Sequence, residues 1–380
     1  MNITKGALLR LLALLAVFGL VAAACGGSSD AADDTAVDDT AADDGAEDTA
    51  AEDTAVDDTA ADDTATDDEA AAEDDAAMEE DEAMADAGPI KMAIVAPSAQ
   101  DDLAFTQSMI DSIAASDAEI ELSISDGLFV VEDAAAAIRG YAEDGQEVII
   151  VHGTQFGASL IEIAPDFPET TFVWGTASDT QGLDNVFAYY PTAEEGGYVN
   201  GVMAAMLSSS GTIGVVGPVE AGDAVAYING FVEGAEATSD VTVAVTYTGS
   251  FSDVALAAEA AQAHLTNGVD ILTGTSQSVV GAVGVATEND VPWFGTQANQ
   301  TPLSPGLVVA SQVYHWEFVL DEILALRASG VLGGEIFEIN LANGGLVIEF
   351  NDGYALPDDV RAAGEAAIAA IADGSIDPVG

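Results

Sequence analysis

Three histidines, His152, His264 and His315, and one cysteine, Cys25, are the chain's only imidazole and thiol groups. The histidine spacings fit no zinc-protease motif, and a lone cysteine forms neither an internal disulfide nor a thiolate metal site. The sequence contains no Gly-x-Ser-x-Gly elbow, no P-loop and no Gly-x-Gly-x-x-Gly at a strand–helix turn. Carboxylates abound, yet no spacing sets two of them together for acid–base work. These residue types point away from catalysis, cofactors and metals, and toward recognition. Aromatic side chains could serve it by stacking on a flat heterocycle, which adds about 0.5–1.5 kcal/mol beyond burial.

The charge excludes further partners. At a formal −61, with 67 acidic and 6 basic side chains, the chain repels nucleic acid and anionic lipid alike. Residues 30–86 carry 26 of the acids and no base, in a rough five-residue repeat of the form DDTAV, DDTAA, EDTAA. That composition cannot bury enough apolar area to offset chain entropy, so 25–87 is expected to be a disordered acidic linker. A flexible chain of about 60 residues spans roughly 45 Å r.m.s., and self-repulsion extends it. A calcium-binding repeat would need turn glycines that this segment lacks. The remaining 41 acids face only Lys91, Arg139, Arg327 and Arg361, a balance that suits a saline habitat.

Ahead of the linker, Lys5 and Arg10 precede an apolar run at 11–21 and the small residues Ala22, Ala23 and Ala24. This is the layout of a secretory signal over 1–24, whose apolar run is too short for a membrane span of about 20 residues. Cys25 follows directly, and the segment resembles a bacterial lipobox, with Ala22 where Leu is usual. The resemblance implies a diacylglycerol on the Cys25 sulfur and a lipid anchor on the extracytoplasmic face of the cell membrane. An ordinary signal peptide or an uncleaved anchor is the alternative.

From about residue 88 short apolar strands alternate with Ala-rich helices, which argues for α/β units. The alternation is written twice. KMAIVAP at 91–97 reads against TIGVVGP at 212–218, and FVWGT at 172–176 echoes WFGT at 293–296. Helical stretches at 131–143 and 254–266 stop at Asp144-Gly145 and Asn267-Gly268, and each feeds a strand closing on Gly153 or Gly274. Pro97 to Gly153 and Pro218 to Gly274 are both 56 residues. Two similar lobes are therefore expected, each a parallel sheet flanked by helices. Ligands in such sheets sit beyond the carboxyl ends of the strands. The loops at 98–106, 153–156 and 176–179 would then face those at 219–227, 274–277 and 296–300 across one cleft.

The motifs DLAFTQS at 102–108, HGTQF at 152–156, EEGGYVNG at 194–201, IGVVG at 213–217, YINGFVEG at 227–234 and YTGSFSD at 247–253 cover nearly all of this region. On these residues it resembles the basic membrane protein family, the purine nucleoside receptor A-like substrate-binding lipoproteins of ABC importers. The resemblance implies a type I periplasmic-binding-protein fold of two Rossmann-like lobes joined by a three-crossing hinge. Lobe I is expected at 88–191 plus 307–335, and lobe II at 192–306 plus 336–380. It further implies a monomeric receptor that shuts on a purine nucleoside or another small nutrient and serves a permease and ATPase. A tethered sensor without a transport role shares the fold. A LacI-like repressor would need a basic DNA-binding headpiece, which is absent.

By the same resemblance Asp102 and Phe105 match the polar and aromatic residues of the first binding loop, and Tyr227 stands where the second lobe's stacking ring is expected. Thr106, Thr176, Thr296 and Tyr314 fall where Asn, Asp, Asp and Lys are usual, so the cleft should carry less charge. Gly153 and Gly274 let their loops approach a ligand, and Trp316 stands at a crossing between lobes. Asp102 also suits a helix N-cap, His152 a structural role, and Trp174 and Trp293 the core.

Overall fold

The computed structural model describes residues 88–379; the signal segment at 1–24, Cys25 and the acidic linker at 25–87 lie outside the described residues. The first sheet contains β1 (Ile90–Val95), β2 (Ile120–Ser125), β3 (Val148–Val151), β4 (Thr171–Gly175), β5 (Val186–Pro191) and β11 (Ile336–Ile339). Its order is β11-β5-β4-β3-β1-β2, all parallel. The second contains β6 (Thr212–Gly217), β7 (Thr242–Tyr247), β8 (Ile271–Gly274), β9 (Trp293–Gly295), β10 (Val308–Tyr314) and β12 (Leu346–Phe350), in the order β12-β10-β9-β8-β6-β7. The two orders superimpose, except that β12 runs antiparallel to β10.

Strand chemistry follows from this layering. Met92 and Ile94 pack on one face of β1 while Ala93 and Val95 pack on the other, and all four are fully buried. A parallel sheet covered by helices on both sides needs apolar side chains at every position, which is why these strands do not alternate. In the first lobe α1 (Phe105–Ala115), α2 (Val131–Glu143) and α3 (Gly157–Ile163) supply cover, joined by α8 (Glu317–Ala328). In the second, α4 (Ala193–Leu207), α5 (Gly222–Thr238), α6 (Val254–Thr266), α7 (Val279–Glu288) and α9 (Asp358–Ala372) do so.

The glycine-rich motifs on α4 and α5 build one close helix crossing. A Cβ at Gly197 would lie 2.2 Å from the Tyr227 carbonyl oxygen, and one at Gly201 2.1 Å from that of Phe231. Gly230 and Gly234 meet the carbonyls of Glu194 and Tyr198 just as tightly. The two backbones touch, so any larger residue would push the helices apart.

The chain passes between sheets after β5, after β10 and after β11, giving three crossings. This corrects the expected boundaries. Residues 307–314 were expected in the first lobe, but β10 pairs with β9 and β12 in the second sheet. Residues 336–339 were expected in the second, but β11 extends β5 in the first. β11 finds its partner β5 far away in sequence, and composition alone did not say whether β10 would stay beside the preceding strand β9 or cross to the other sheet. Among the described residues no helix is long and apolar enough to cross a membrane.

Candidate functional site

The loops leaving the carboxyl ends of corresponding strands enclose a cavity of about 260 Å³ between the lobes. The first lobe lines it with Pro97, Phe105, Phe129, Gly153, Thr154, Gln155 and Thr176. The second supplies the run from Ala221 to Ala224, together with Phe251, Thr275, Ser276, Gln277 and Gln297. All six loops expected at the cleft contribute. Its size is below the roughly 300–1,000 Å³ typical of drug-sized ligands, so the site suits a small one.

Phe105 opens α1 and reaches the cavity over His152, whose ring lies 3.9 Å below it at 11°. His152 is fully buried. Its Nε2 is 3.0 Å from the Phe105 carbonyl oxygen and its Nδ1 is 2.5 Å from the Tyr189 hydroxyl. A carbonyl only accepts, so Nε2 carries the proton and Nδ1 accepts from Tyr189. Burial lowers this imidazole to a pKa of about 4, only partly opposed by the Phe105 carbonyl.

Asp102 stands behind the wall. Its carboxylate accepts the Ser98 hydroxyl at 2.6 Å and the amides of Ala104, Thr106 and Gln107 at 2.9, 3.3 and 3.1 Å. It caps the turn that launches α1, in which Leu103 is held at φ 50°. Burial pushes its carboxyl above the usual range, more than these donors pull it down. Thr106 is fully buried, its Oγ1 2.6 Å from Ser98 Oγ.

Of the other expected site residues, Gly153 and Thr176 line the cavity and five do not. Tyr227 is 1% exposed and packs in the second lobe's core. Its hydroxyl accepts Asn200 Nδ2 at 3.1 Å and lies 2.8 Å from Thr273 Oγ1; burial pushes it up to about 12. Gly274 is buried against the Val216 carbonyl, one residue before Thr275 enters the lining. Thr296 is 1% exposed beside lining residue Gln297. Trp316 is fully buried, donating Nε1–H to Ser108 Oγ at 2.9 Å and meeting Tyr189 and Tyr314 with ring centroids 5.0 Å away. Tyr314 is also buried, but its hydroxyl donates to Asp223 Oδ2 at 3.3 Å, so it supports the wall from behind.

Among the described residues Asp223, in the first turn of α5, is the only ionisable side chain in the lining, and no base lies there. Burial raises its carboxyl above the usual range, more than the Gln297 amide and the Tyr314 hydroxyl lower it. Thr176 and Gln297 are both non-glycine residues with left-handed backbones, at φ 52° and 72°. Such strain persists where surrounding structure fixes it and gathers at functional sites.

Phe129, Phe251, Asp223, Gln277 and Gln297 were not singled out from sequence. Phe129 lies just ahead of α2 and Phe251 just ahead of α6, the matching helices of the two copies. An aromatic at matching places in both repeats was the available signal.

Two lobes of doubly wound sheet with one cavity between their strand-end loops define a solute-binding protein of the periplasmic type. Residues 90–362 match the family described as ABC transporter substrate-binding protein PnrA-like, and the chain belongs to that family. A purine-binding protein of Brucella abortus is 30% identical over 265 residues, covering 68% of this chain and 73% of that relative. Among solved structures, an ABC transporter solute-binding protein from Aeropyrum pernix superimposes with a TM-score of 0.68 at 18% identity, covering 76% of this chain and 93% of the other. One from Conexibacter woesei does so at 0.64 and 24%, covering 76% and 98%. These two likenesses bear on the fold alone.

Proposed function

We propose that the protein captures a small flat heterocycle, of the purine nucleobase or nucleoside type, between its lobes and hands it to an ABC importer. The observation that carries this is the pairing of Phe105 and Phe129 from one lobe with Phe251 from the other around a single cavity. Aromatic faces from both sides favour a planar ligand, and acceptors at the rim fix its orientation. The likeness to a purine-binding relative supports the same ligand class. Closure is a population shift: a ligand touching both lobes at once stabilises the shut form over the open one. One bond already spans the lobes in this form, from Gln300 Nε2 to the Leu103 carbonyl oxygen at 3.3 Å.

Cys25 would hold the receptor at the membrane through a lipid, with residues 25–87 as a leash. The ligand assignment is tested by thermal-shift and calorimetric titration of the purified protein in high salt. Nucleobases and nucleosides should raise the melting temperature, and sugars should not. A response to sugars alone would reverse the assignment.

A further inference from the structure

The two walls of the cavity differ in what their polar groups leave unspent. In the first lobe Thr176 Oγ1 lies 2.5 Å from Thr154 Oγ1 and donates toward the Gly175 carbonyl at 2.8 Å, so these hydroxyls satisfy one another. In the second lobe two lining side-chain acceptors are left without a donor among the described residues. Both side-chain bonds to Asp223, from Gln297 Nε2 and the Tyr314 hydroxyl, fall on Oδ2 and are long at 3.3 Å. Donating Nε2 to a carboxylate fixes the Gln297 amide, because the reversed amide would set two oxygens face to face. Its Oε1 is therefore an acceptor, and it is buried without a partner among the described residues, on a residue only 4% exposed. Gln277 Oε1, also in the lining, is buried and unpartnered as well. Among the described residues no basic side chain lines the cavity to offset a ligand's negative charge.

We propose that this second-lobe wall selects ligands presenting two adjacent N–H donors, a ring N–H beside an exocyclic amino group as on a guanine-type edge. Asp223 and Gln297 Oε1 receive that edge, and Tyr314 positions Asp223. The proposal rests on the heterocycle reading above and narrows it. Anionic ligands such as nucleotides are rejected, because a phosphate in this cavity would be desolvated with no cation among the described lining residues.

The experiment is calorimetric titration of the full-length protein with guanosine, inosine, adenosine and guanosine 5′-monophosphate. Inosine keeps the ring N–H but lacks the amino group, and adenosine places its amino group beside an acceptor. Guanosine should bind about tenfold or more tightly than either, and the monophosphate should not bind, since hydrogen bonds to charged groups are worth about one to two decades in affinity. Asp223→Asn should weaken guanosine about tenfold or more and bring it level with inosine. Tyr314→Phe should weaken guanosine less while keeping the ranking, and unchanged melting of both variants would confirm folding. Equal affinity of the wild type for the three nucleosides, or an unchanged ranking in Asp223→Asn, would overturn this inference and leave the heterocycle assignment standing. Failure of all nucleosides and free bases to bind would remove both.

Discussion

The imidazole of His152 lies flat beneath the ring of Phe105, with centroids 3.9 Å apart, and the same imidazole is bonded to the Phe105 carbonyl at 3.0 Å. Ring and backbone of one residue are thus held by one buried side chain, which Tyr189 holds in turn. The aromatic floor of the cavity is set in place before any ligand arrives.

Replacing that support should cost both stability and affinity. His152→Ala leaves a void and an unpaired Tyr189 hydroxyl, so unfolding should become easier by about 2–4 kcal/mol. Affinity for a flat ligand should fall as well, because Phe105 loses its seat. Denaturant unfolding and calorimetry on the same preparation check both, and unchanged affinity would show that Phe105 is held by other contacts.

The buried imidazole also sets an acid limit. Its folded pKa of about 4 lies below the unfolded value of about 6.5, so its contribution is complete above pH 6.5 and is lost as pH falls toward 4. A shift of that size corresponds to about 3 kcal/mol. Asp102 and Asp223 act oppositely: their raised folded values disfavour the charged form, so acid relieves that penalty. Comparing wild type with His152→Gln isolates the histidine. Their stability difference should change by about 3 kcal/mol between pH 7 and pH 4, whereas parallel pH profiles would contradict the assignment.

Phe251 and Tyr227 should separate recognition from folding. Phe251→Ala should weaken a heterocyclic ligand about tenfold or more through lost stacking and burial, with little change in stability. Tyr227→Phe removes a hydroxyl that bonds Asn200 and Thr273 in the core. It should lower stability by about 1–2 kcal/mol and leave affinity alone. The reverse pattern would restore Tyr227 to the binding site.

Cys25→Ser should shift the protein from the membrane fraction to the medium or the soluble extracytoplasmic fraction without altering ligand affinity. Retention at the membrane would point to an uncleaved leader as the anchor.

At a formal −61, the melting temperature should rise as salt increases from about 0.05 M to about 1 M, because screening relieves repulsion among surface carboxylates. A flat response would mean that specific contacts already neutralise that repulsion.

Much of the architecture was legible because both copies of the α/β unit carry the same order at the same spacing. Phe105 was legible for a local reason, since it follows the first strand's loop and opens a helix. Tyr227 was expected at the cleft because the resemblance puts the second lobe's stacking ring there, but it lies on the tight face of α5. Gly230 and Gly234 follow at three and seven residues, which places all three on the helix face that meets α4. Asp223, one turn earlier on the same side, reaches the cleft because it stands at the N-terminus of α5, where the helix meets the cavity. The C-terminal strands misled because only one helix separates β10 from β11, although the two join different sheets.

By itself the sequence determined the repeated alternation of strand and helix, the loops that meet at the cleft, and the strongly negative charge. These depend on local periodicity and composition, which are written along the chain. Only the tertiary structure decided which residue of each loop turns inward and which sheet each late strand joins. Those choices rest on contacts between distant residues, such as Tyr314 on Asp223 and Gln300 on Leu103. Left-handed turns at Thr176 and Gln297 then aim individual side chains. Such geometry is set by packing partners that no local window contains.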